Sequence, residues 1–371
     1  MMLEKGLEEK TFYLNLGPQH PSTHGVLRIV LEMDGEFIVT ADPVIGYGHR
    51  AHEKMAELRT YQQYLPNMGR VDYLHALAYN QCYCMAVEKL AGIVVPERAE
   101  FIRVITSELN RISSHLLWFG AYLLDLGAFT PFLYCFDDRE QILDLLDRLT
   151  GSRLTYCFYR FGGVPVDLDD DFIAGCRAFI QRLRSRWDDY DNLVTKNVIF
   201  IHRTRDVGIL PPDLALRYGV TGPTLRGSGI PYDIRKSEPF SVYPLFDFEI
   251  PTGERGDVMD RYLVRLREME QSLRIIEQAL DKLPAGPIMA EKVPKRLKPP
   301  EGEVYIAVET ARGEFGIYLV SKGDVKPYRV KLRVPCFSNL SVLPELIKDT
   351  MVADAVAILG SIDLVIPEID R

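Results

Sequence analysis

The clearest pattern in the chain is a long helical repeat of apolar residues. Apolar side chains recur there at steps of three and four, as Ile105, Leu109, Ile112, Leu116, Phe119, Leu123 and Leu126. This spacing puts them on one face of a helix, which is predicted to start after Pro96 and run towards Leu126. An offset stripe carries mostly polar groups: Glu108, Arg111, His115, Trp118, Tyr122 and Asp125. Its neighbours are apolar, so Glu108, Arg111 and His115 are expected to form a buried ion-pair ladder.

Strand patterns flank this helical part on both sides. Near the start, residues 11–16 and 26–33 are typical of strands, and Asp34-Gly35 predicts a hairpin turn into 36–41. Near the end, strands are predicted over 304–309, 315–321 and 328–334, followed by two short helices and an extended tail. Further helices are predicted over 49–64, 71–91, 172–194 and 258–283.

These elements predict an α+β fold with three parts. Residues 1–45 form a small N-terminal antiparallel sheet, and residues 46–285 form a central helical bundle in which 200–256 is irregular. Residues 286–371 form a C-terminal α/β portion and tail. No internal repeat is present in the sequence.

Composition excludes several classes of function. With 47% hydrophobic and 26% charged residues, the 371-residue chain can bury a large core. A formal net charge of -8 argues against nucleic acid as a main partner. The cysteines lack zinc-like spacing and are expected to be reduced thiols: Cys82, Cys84, Cys135, Cys157, Cys176 and Cys336. The polar start is not typical of a signal peptide.

Residues 116–136 are apolar enough to require a membrane check. Their length nearly spans a bilayer, and Asp125 is the only formally charged residue among them. Gly127 and Pro131 break the run, and a mid-bilayer carboxylate costs roughly a few kcal/mol. A buried core helix is therefore predicted.

A loop over residues 17–25, Gly-Pro-Gln-His-Pro-Ser-Thr-His-Gly, presents two histidines between predicted strands. Prolines and glycines stiffen it and permit tight turns. Histidine titrates near neutral pH, so His20 and His24 suit proton delivery, although spacing alone favours an ordinary polar turn. A metal is not expected at His49 and His52, because no third ligand recurs nearby and the required motif is absent.

Long strings of residues resemble one family. They lie at 17–25, 48–54, 70–73, 108–117, 221–226 and 368–371. Together they resemble the quinone-site subunit of the peripheral arm of respiratory complex I, a relative of the nickel–iron hydrogenase large subunit. The resemblance extends over nearly the whole chain, from about Phe12 to Arg371.

The resemblance implies three groups at a quinone. His24 and Tyr73 would hydrogen-bond the quinone headgroup, and Asp125 would pair with the histidine. Quinone reduction consumes two electrons and two protons, so donors must stand within hydrogen-bond reach of the carbonyl oxygens. Taken alone, Tyr73 also fits a buried tyrosine with a satisfied hydroxyl.

The resemblance implies further positions around this site. Arg50 would lie beside a 4Fe-4S cluster held by a neighbouring subunit and tune its potential; the alternative is a surface ion pair. The tail would line the quinone cavity, which implicates Asp363 and Val365. Thr155 and Phe161 depart from the family, where many relatives carry histidine and proline.

Hydrogenase activity is not expected. The four metal-binding cysteines of that relative would fall at Asp72, His75, Val365 and Glu368, none of which is cysteine. The chain itself is therefore expected to bind no metal or other cofactor.

The resulting hypothesis is a subunit of a complex I-type oxidoreductase that reduces quinone and is coupled to proton translocation. The expected partners are the iron–sulfur subunit of the peripheral arm, membrane subunits and quinone. The expected location is peripheral, on the cytoplasmic side of the cell membrane or an equivalent organelle membrane. NADH, ferredoxin and a deazaflavin remain alternatives for the electron donor. The alternative function is a structural hydrogenase-like subunit without quinone chemistry.

Overall fold

The N-terminal part is a three-stranded antiparallel sheet. The computed structural model describes residues 11–20 and 25–371. The strands are β1 (Phe12–Leu16), β2 (Arg28–Asp34) and β3 (Phe37–Val44), in that spatial order. Ile29, Leu31 and Met33 alternate inward along β2, which buries one face of the sheet. The predicted hairpin between β2 and β3 is confirmed, with its turn at Gly35 and Glu36, one residue later than predicted, between the paired residues Asp34 and Phe37.

The central part is built from long helices. They are α1 (His52–Leu58), α2 (Tyr61–Met68), α3 (Ala76–Ala91), α4 (Glu97–Asp125) and α5 (Phe129–Thr150). The prediction of one helix over 49–64 was wrong, because Thr60 starts a new helix with a capping box to Gln63. Helix α3 begins later than predicted, because the Asp72 carboxylate accepts the backbone N–H groups of Leu74 and His75 in a turn.

Helix α4 follows the predicted apolar stripe. Residues 105, 109 and 112 are fully buried, and the helix packs against α5 and the later helix α12 (Val258–Asp281). The apolar run at 116–136 is not one helix: α4 ends at Asp125 and α5 starts at Phe129, with Gly127 at φ 85 between them. Within the described residues, 11–20 and 25–371, no helix is long and apolar enough to cross a membrane.

The region after α5 contains a run of short helices between two long ones, α6 and α12. In order these are α6 (Asp170–Ser185), α7 (Trp187–Tyr190), a π-turn (Asp191–Thr195), α8 (Val198–Thr204), α9 (Pro212–Arg217), α10 (Pro223–Gly227), α11 (Ile234–Ser237), a 3-10 turn (Tyr243–Leu245) and α12. The region predicted as irregular therefore contains short helices. The Asp169 carboxylate caps α6 by accepting the Phe172 N–H.

The C-terminal part combines a second antiparallel sheet with short helices. Its elements are β4 (Gly302–Thr310), β5 (Gly313–Ser321), β6 (Arg329–Arg333), α13 (Pro335–Ser341), α14 (Leu343–Ile347), α15 (Val352–Ile362) and α16 (Ile366–Asp370). The prediction of an extended tail was wrong, because the tail contains α16. Helix α3 packs on β4 and β5, where the Tyr79 and Phe315 rings lie 4.0 Å apart. The α+β fold class is thus confirmed.

Candidate functional site

A cleft of about 530 Å³ opens where four loop or tail segments meet. Its lining comprises Tyr47, Gly48, His49, Arg50, Arg70, Tyr73, Leu154, Thr155 and Pro367. These residues come from the loops before α1, between α2 and α3, and after α5, and from the first turn of α16. Loops held by a rigid scaffold are the usual place for binding groups.

Tyr73 is the polar group with the most distinctive environment in this cleft. Its ring is half-buried, and burial is the main cause that raises the pKa of its phenol, with the Asp72 carboxylate acting in the same direction. The guanidinium of Arg312 opposes this increase. The hydroxyl is therefore protonated at neutral pH and can donate a hydrogen bond to a ligand oxygen.

Behind Tyr73 lies a buried charge cluster centred on Arg312. One terminal nitrogen of Arg312 donates to Asp72 at 2.9 Å and to the Ser114 hydroxyl at 3.0 Å, and the other donates to Asp363 at 3.3 Å. Burial raises the pKa of Asp72, and Arg312 acts against that increase. The arginine thus compensates two carboxylates that would be costly to bury alone.

The last residues of the chain hold the cleft segment around Gly48 and His49 in place. The Asp370 carboxylate accepts the backbone N–H groups of Gly46 at 2.7 Å and Gly48 at 2.6 Å, and its carbonyl pairs with His49 Nδ1 at 2.7 Å. Arg50 then donates to the Arg70 carbonyl at 2.6 Å. Both arginines are exposed at the cleft, so a negative charge that develops there is favoured.

The residues expected to form the site are only partly brought together. Tyr73 and Arg50 line the cleft. Asp363 is not among the lining residues; it accepts a hydrogen bond from Arg312 in the charge cluster behind Tyr73. Val365 is buried, with its N–H towards the Cys336 sulfur at 3.4 Å. Asp125 ends α4 and is half-buried, about 16 Å along the helix from Ser114 at a rise of about 1.5 Å per residue.

His24 lies outside the described residues. Its neighbour in the same loop, His20, forms an isolated antiparallel bridge with Gly25. Thr155, one of the two departures from the family pattern, lies in the cleft with φ 50 and shares its lining with Arg50. Phe161, the other departure, is buried, with its ring centroid 5.9 Å from that of Tyr83.

At His75, one of the positions expected to correspond to a hydrogenase cysteine, the contacts are those of a buried structural histidine. His75 Nδ1 accepts the Ala311 N–H at 2.9 Å, so the proton sits on Nε2, which faces the Ser107 carbonyl at 3.1 Å. Burial lowers the pKa of His75 well below its usual value, in keeping with a neutral ring. Among residues 11–20 and 25–371, no group of three or more His, Cys, Asp or Glu side chains is arranged to hold a metal.

The ladder predicted on α4 is confirmed for Glu108 and Arg111. His115 faces Glu268 on α12 instead, and burial lowers the pKa of His115, which favours its neutral ring. Glu108 accepts from Arg111 at 3.1 Å and from Arg235 at 3.2 Å, and His115 Nε2 lies 3.2 Å from Glu268. All of these side chains are buried. The nearby cations hold the pKa of Glu108 well below its usual range although burial opposes them, so the carboxylate stays ionised. This network joins α4 to α11 and α12.

Two residues that shape the cleft were not singled out from the sequence. Arg312 occupies the two-residue turn between β4 and β5, where an arginine is ordinarily exposed. Asp370 was noticed only as part of a terminal string. Neither has a local signal for its role, because each acts on segments far away in the chain.

Comparison with known proteins identifies the family. The family model for the respiratory-chain NADH dehydrogenase 49 kDa subunit matches residues 125–299 and 291–371. The chain belongs to this family.

Similar proteins match 98% of the chain. The D-type subunit of the NADH-quinone oxidoreductase of Syntrophobacter fumaroxidans is 66% identical over 98% of this chain and 97% of its own length. That of Desulfotalea psychrophila is 61% identical over 98% of both chains. That of Desulforamulus reducens is 51% identical over 98% of this chain and 99% of its own. The cleft residues from 47 to 73, which precede the family-model match, fall within the length that these relatives share.

Proposed function

We propose that this chain is the subunit of a complex I-type NADH-quinone oxidoreductase that forms the quinone-reduction site in the cleft beside Tyr73. The observation that carries the proposal is the protonated, half-buried Tyr73 phenol at a cleft of about 530 Å³, in a chain 66% identical to a subunit of an NADH-quinone oxidoreductase. The names of the relatives favour NADH over ferredoxin or a deazaflavin as the donor.

The chemistry of the cleft supports this role. Reduction of a quinone places negative charge on its oxygens before protons arrive, and a neutral phenol can both hydrogen-bond such an oxygen and deliver a proton to it. Tyr73 is the proposed donor on one side. By resemblance, His24 is the proposed second donor, with Asp125 as its partner, and Asp363 and Val365 belong to the cavity wall.

Arg50 is the proposed contact with the electron source. The exposed side chains of Arg50 and Arg70 put positive charge at the cleft rim. We propose that an iron–sulfur partner binds here with its 4Fe-4S cluster, which supplies electrons, and that Arg50 favours the reduced form by its charge. Membrane subunits of the complex would complete the assembly, with this chain peripheral on the cytoplasmic side.

The test is Tyr73→Phe in the assembled complex. Phenylalanine keeps the ring and removes only the hydroxyl, so quinone reductase turnover should fall by about 10²-fold, the low end for loss of a general acid. Tyr328→Phe, at a position 56% exposed, is the matched control and should leave turnover unchanged. Full turnover in Tyr73→Phe would contradict the proposal and favour a structural subunit without quinone chemistry.

A further inference from the structure

Glu368 is a buried carboxyl immediately behind the cleft, and the proposed reaction does not yet use it. It lies in α16 and is fully buried, while the preceding residue, Pro367, lines the cleft. Neither of its carboxyl oxygens has a hydrogen-bond partner among the described residues. Buried carboxyls are ordinarily paired, so one left in this way next to a binding cleft calls for a functional explanation.

The groups around Glu368 come from several elements packed against α16 at this point. They are the Tyr79 hydroxyl from α3, the Cys336 thiol from α13, the Asp72 carboxylate from the loop before α3, and the Arg312 guanidinium from the β4–β5 turn. The Tyr79 hydroxyl and Cys336 thiol lie beside the carboxyl without completing a hydrogen bond of ordinary geometry.

Arg312 does not act as a dedicated counter-ion for Glu368. Its two terminal nitrogens are already engaged by Asp72 and Asp363, at 2.9 and 3.3 Å. Glu368 therefore faces the Asp72 carboxylate and a guanidinium, that of Arg312, which Asp72 and Asp363 already share. Such a site favours the neutral, protonated carboxyl over the ionised one.

The raised pKa of Glu368 agrees with a carboxyl that is held in its neutral form. Burial is the largest cause that raises the pKa of Glu368 to about 7, and Asp72 adds to it, whereas Cys336, Tyr79 and Arg312 act in the opposite direction. The pKa values of Tyr79 and Cys336 are both raised well above their usual range by burial, so these two groups keep their protons. Glu368 is thus the group here that exchanges a proton near neutral pH.

We propose that Glu368 is a proton-supplying residue for quinone reduction in the Tyr73 cleft. The inference rests on the proposed function. Reduction to quinol takes two protons. One passes from Tyr73 to a quinone oxygen and is replaced by the proton that leaves the Glu368 O–H, so that Glu368 becomes a carboxylate and Tyr73 is restored. The other proton comes from His24, the proposed second donor. The two electrons come from NADH through the complex, and solvent returns a proton to Glu368 after quinol leaves. The charge of Asp72 acts on both Glu368 and Tyr73, which links the environments of the two groups.

The test compares Glu368→Gln with Glu301→Gln in the assembled complex. Glutamine keeps the size of the side chain but cannot release a proton, and Glu301 is an exposed control just before the second sheet. With Glu368 present, turnover should fall as the pH rises through about 7, because the carboxyl loses the proton that it supplies. Glu368→Gln should lose this dependence and be about tenfold slower at about pH 6. Glu301→Gln should behave as the unchanged protein.

A second readout does not depend on turnover. Infrared difference spectra of the complex, recorded on quinone reduction, should show loss of a protonated carboxyl band in the unchanged protein and in Glu301→Gln. The band should be missing in Glu368→Gln. If this variant fails to assemble, the protonation of Glu368 can be followed by titration of carbon-13-labelled glutamate in the unchanged complex. A Glu368 that is ionised throughout about pH 5 to 8 would overturn the proposal.

The outcomes separate this inference from the proposed function. If Glu368→Gln has the same pH profile and the same carboxyl band as the unchanged protein, Glu368 has only a structural role. If Tyr73→Phe still lowers turnover in that case, only the inference about Glu368 fails. If Tyr73→Phe has full turnover, the proposed function fails, and the inference falls with it.

Discussion

Replacing Arg312 with methionine removes the guanidinium that three buried groups share. Methionine fills much of the same volume, so the change deletes charge and hydrogen bonds rather than packing. Asp72, Ser114 and Asp363 each lose a donor, at 2.9, 3.0 and 3.3 Å respectively. Two of these are carboxylates in the protein interior, and they also repel each other once the cation between them is gone.

The expected magnitude follows from burial. Removing one partner of a buried ion pair costs about 3 to 5 kcal/mol, because the remaining charge stays desolvated and unpaired. Arg329→Met is the matched control: Arg329 also bonds two carboxylates, Glu57 at 3.0 Å and Glu53 at 3.2 Å, but its side chain is 45% exposed. Solvent screens that pair, so the control should cost less than about 1 kcal/mol.

The assay is urea unfolding of the full-length chain, followed by circular dichroism at several pH values. The loss in Arg312→Met should shrink as the pH falls, because burial already raises the pKa of Asp72 and removal of the guanidinium that opposes this increase lets the carboxyl become neutral by binding a proton. A loss below about 1 kcal/mol at neutral pH, or one that grows on acidification, would refute the view that Arg312 compensates two buried carboxylates.

Two further substitutions test how distant segments are held at the cleft. Asp370→Asn should speed hydrogen exchange of the Gly46 and Gly48 amides by about tenfold or more, since one of the two hydrogen bonds loses its acceptor and the other loses the carboxylate charge; unchanged exchange would contradict this role. Gly222→Ala should destabilise the chain by about 3 kcal/mol, because φ is 72 and an added Cβ would collide with the Arg312 carbonyl oxygen. Gly219→Ala, at φ 65 in open space, should cost only about 1 kcal/mol in the same unfolding assay, and equal losses would contradict the steric argument.

Local patterns predicted the elements that depend on neighbours along the chain. The apolar stripe of α4 and the Asp34-Gly35 hairpin were predicted because helix and strand periods are short-range properties. The predicted helix boundaries were less accurate where a side chain bonds to the backbone. Thr60 split one predicted helix, and Asp72 delayed the start of another, through hydrogen bonds to the backbone that periodicity does not register.

The sequence predicted only part of the candidate site. Tyr73 and Arg50 were named through long strings that resemble a family, and both line the cleft. The residues that set their environment were not named. A carboxyl such as Glu368 has no sequence signal for a raised pKa, because that shift depends on burial and on which charges lie nearby.

By itself, the sequence determined the fold class and the family, and it predicted Tyr73 and Arg50, which line the cleft. Only the tertiary structure decided which groups share one environment. Arg312 reaches Asp72 across 240 positions, and Asp370 reaches Gly46 across 324. Such pairs depend on the packing of the whole chain, since the Coulomb and hydrogen-bond energies that they supply act over a few ångströms and take no account of separation in sequence.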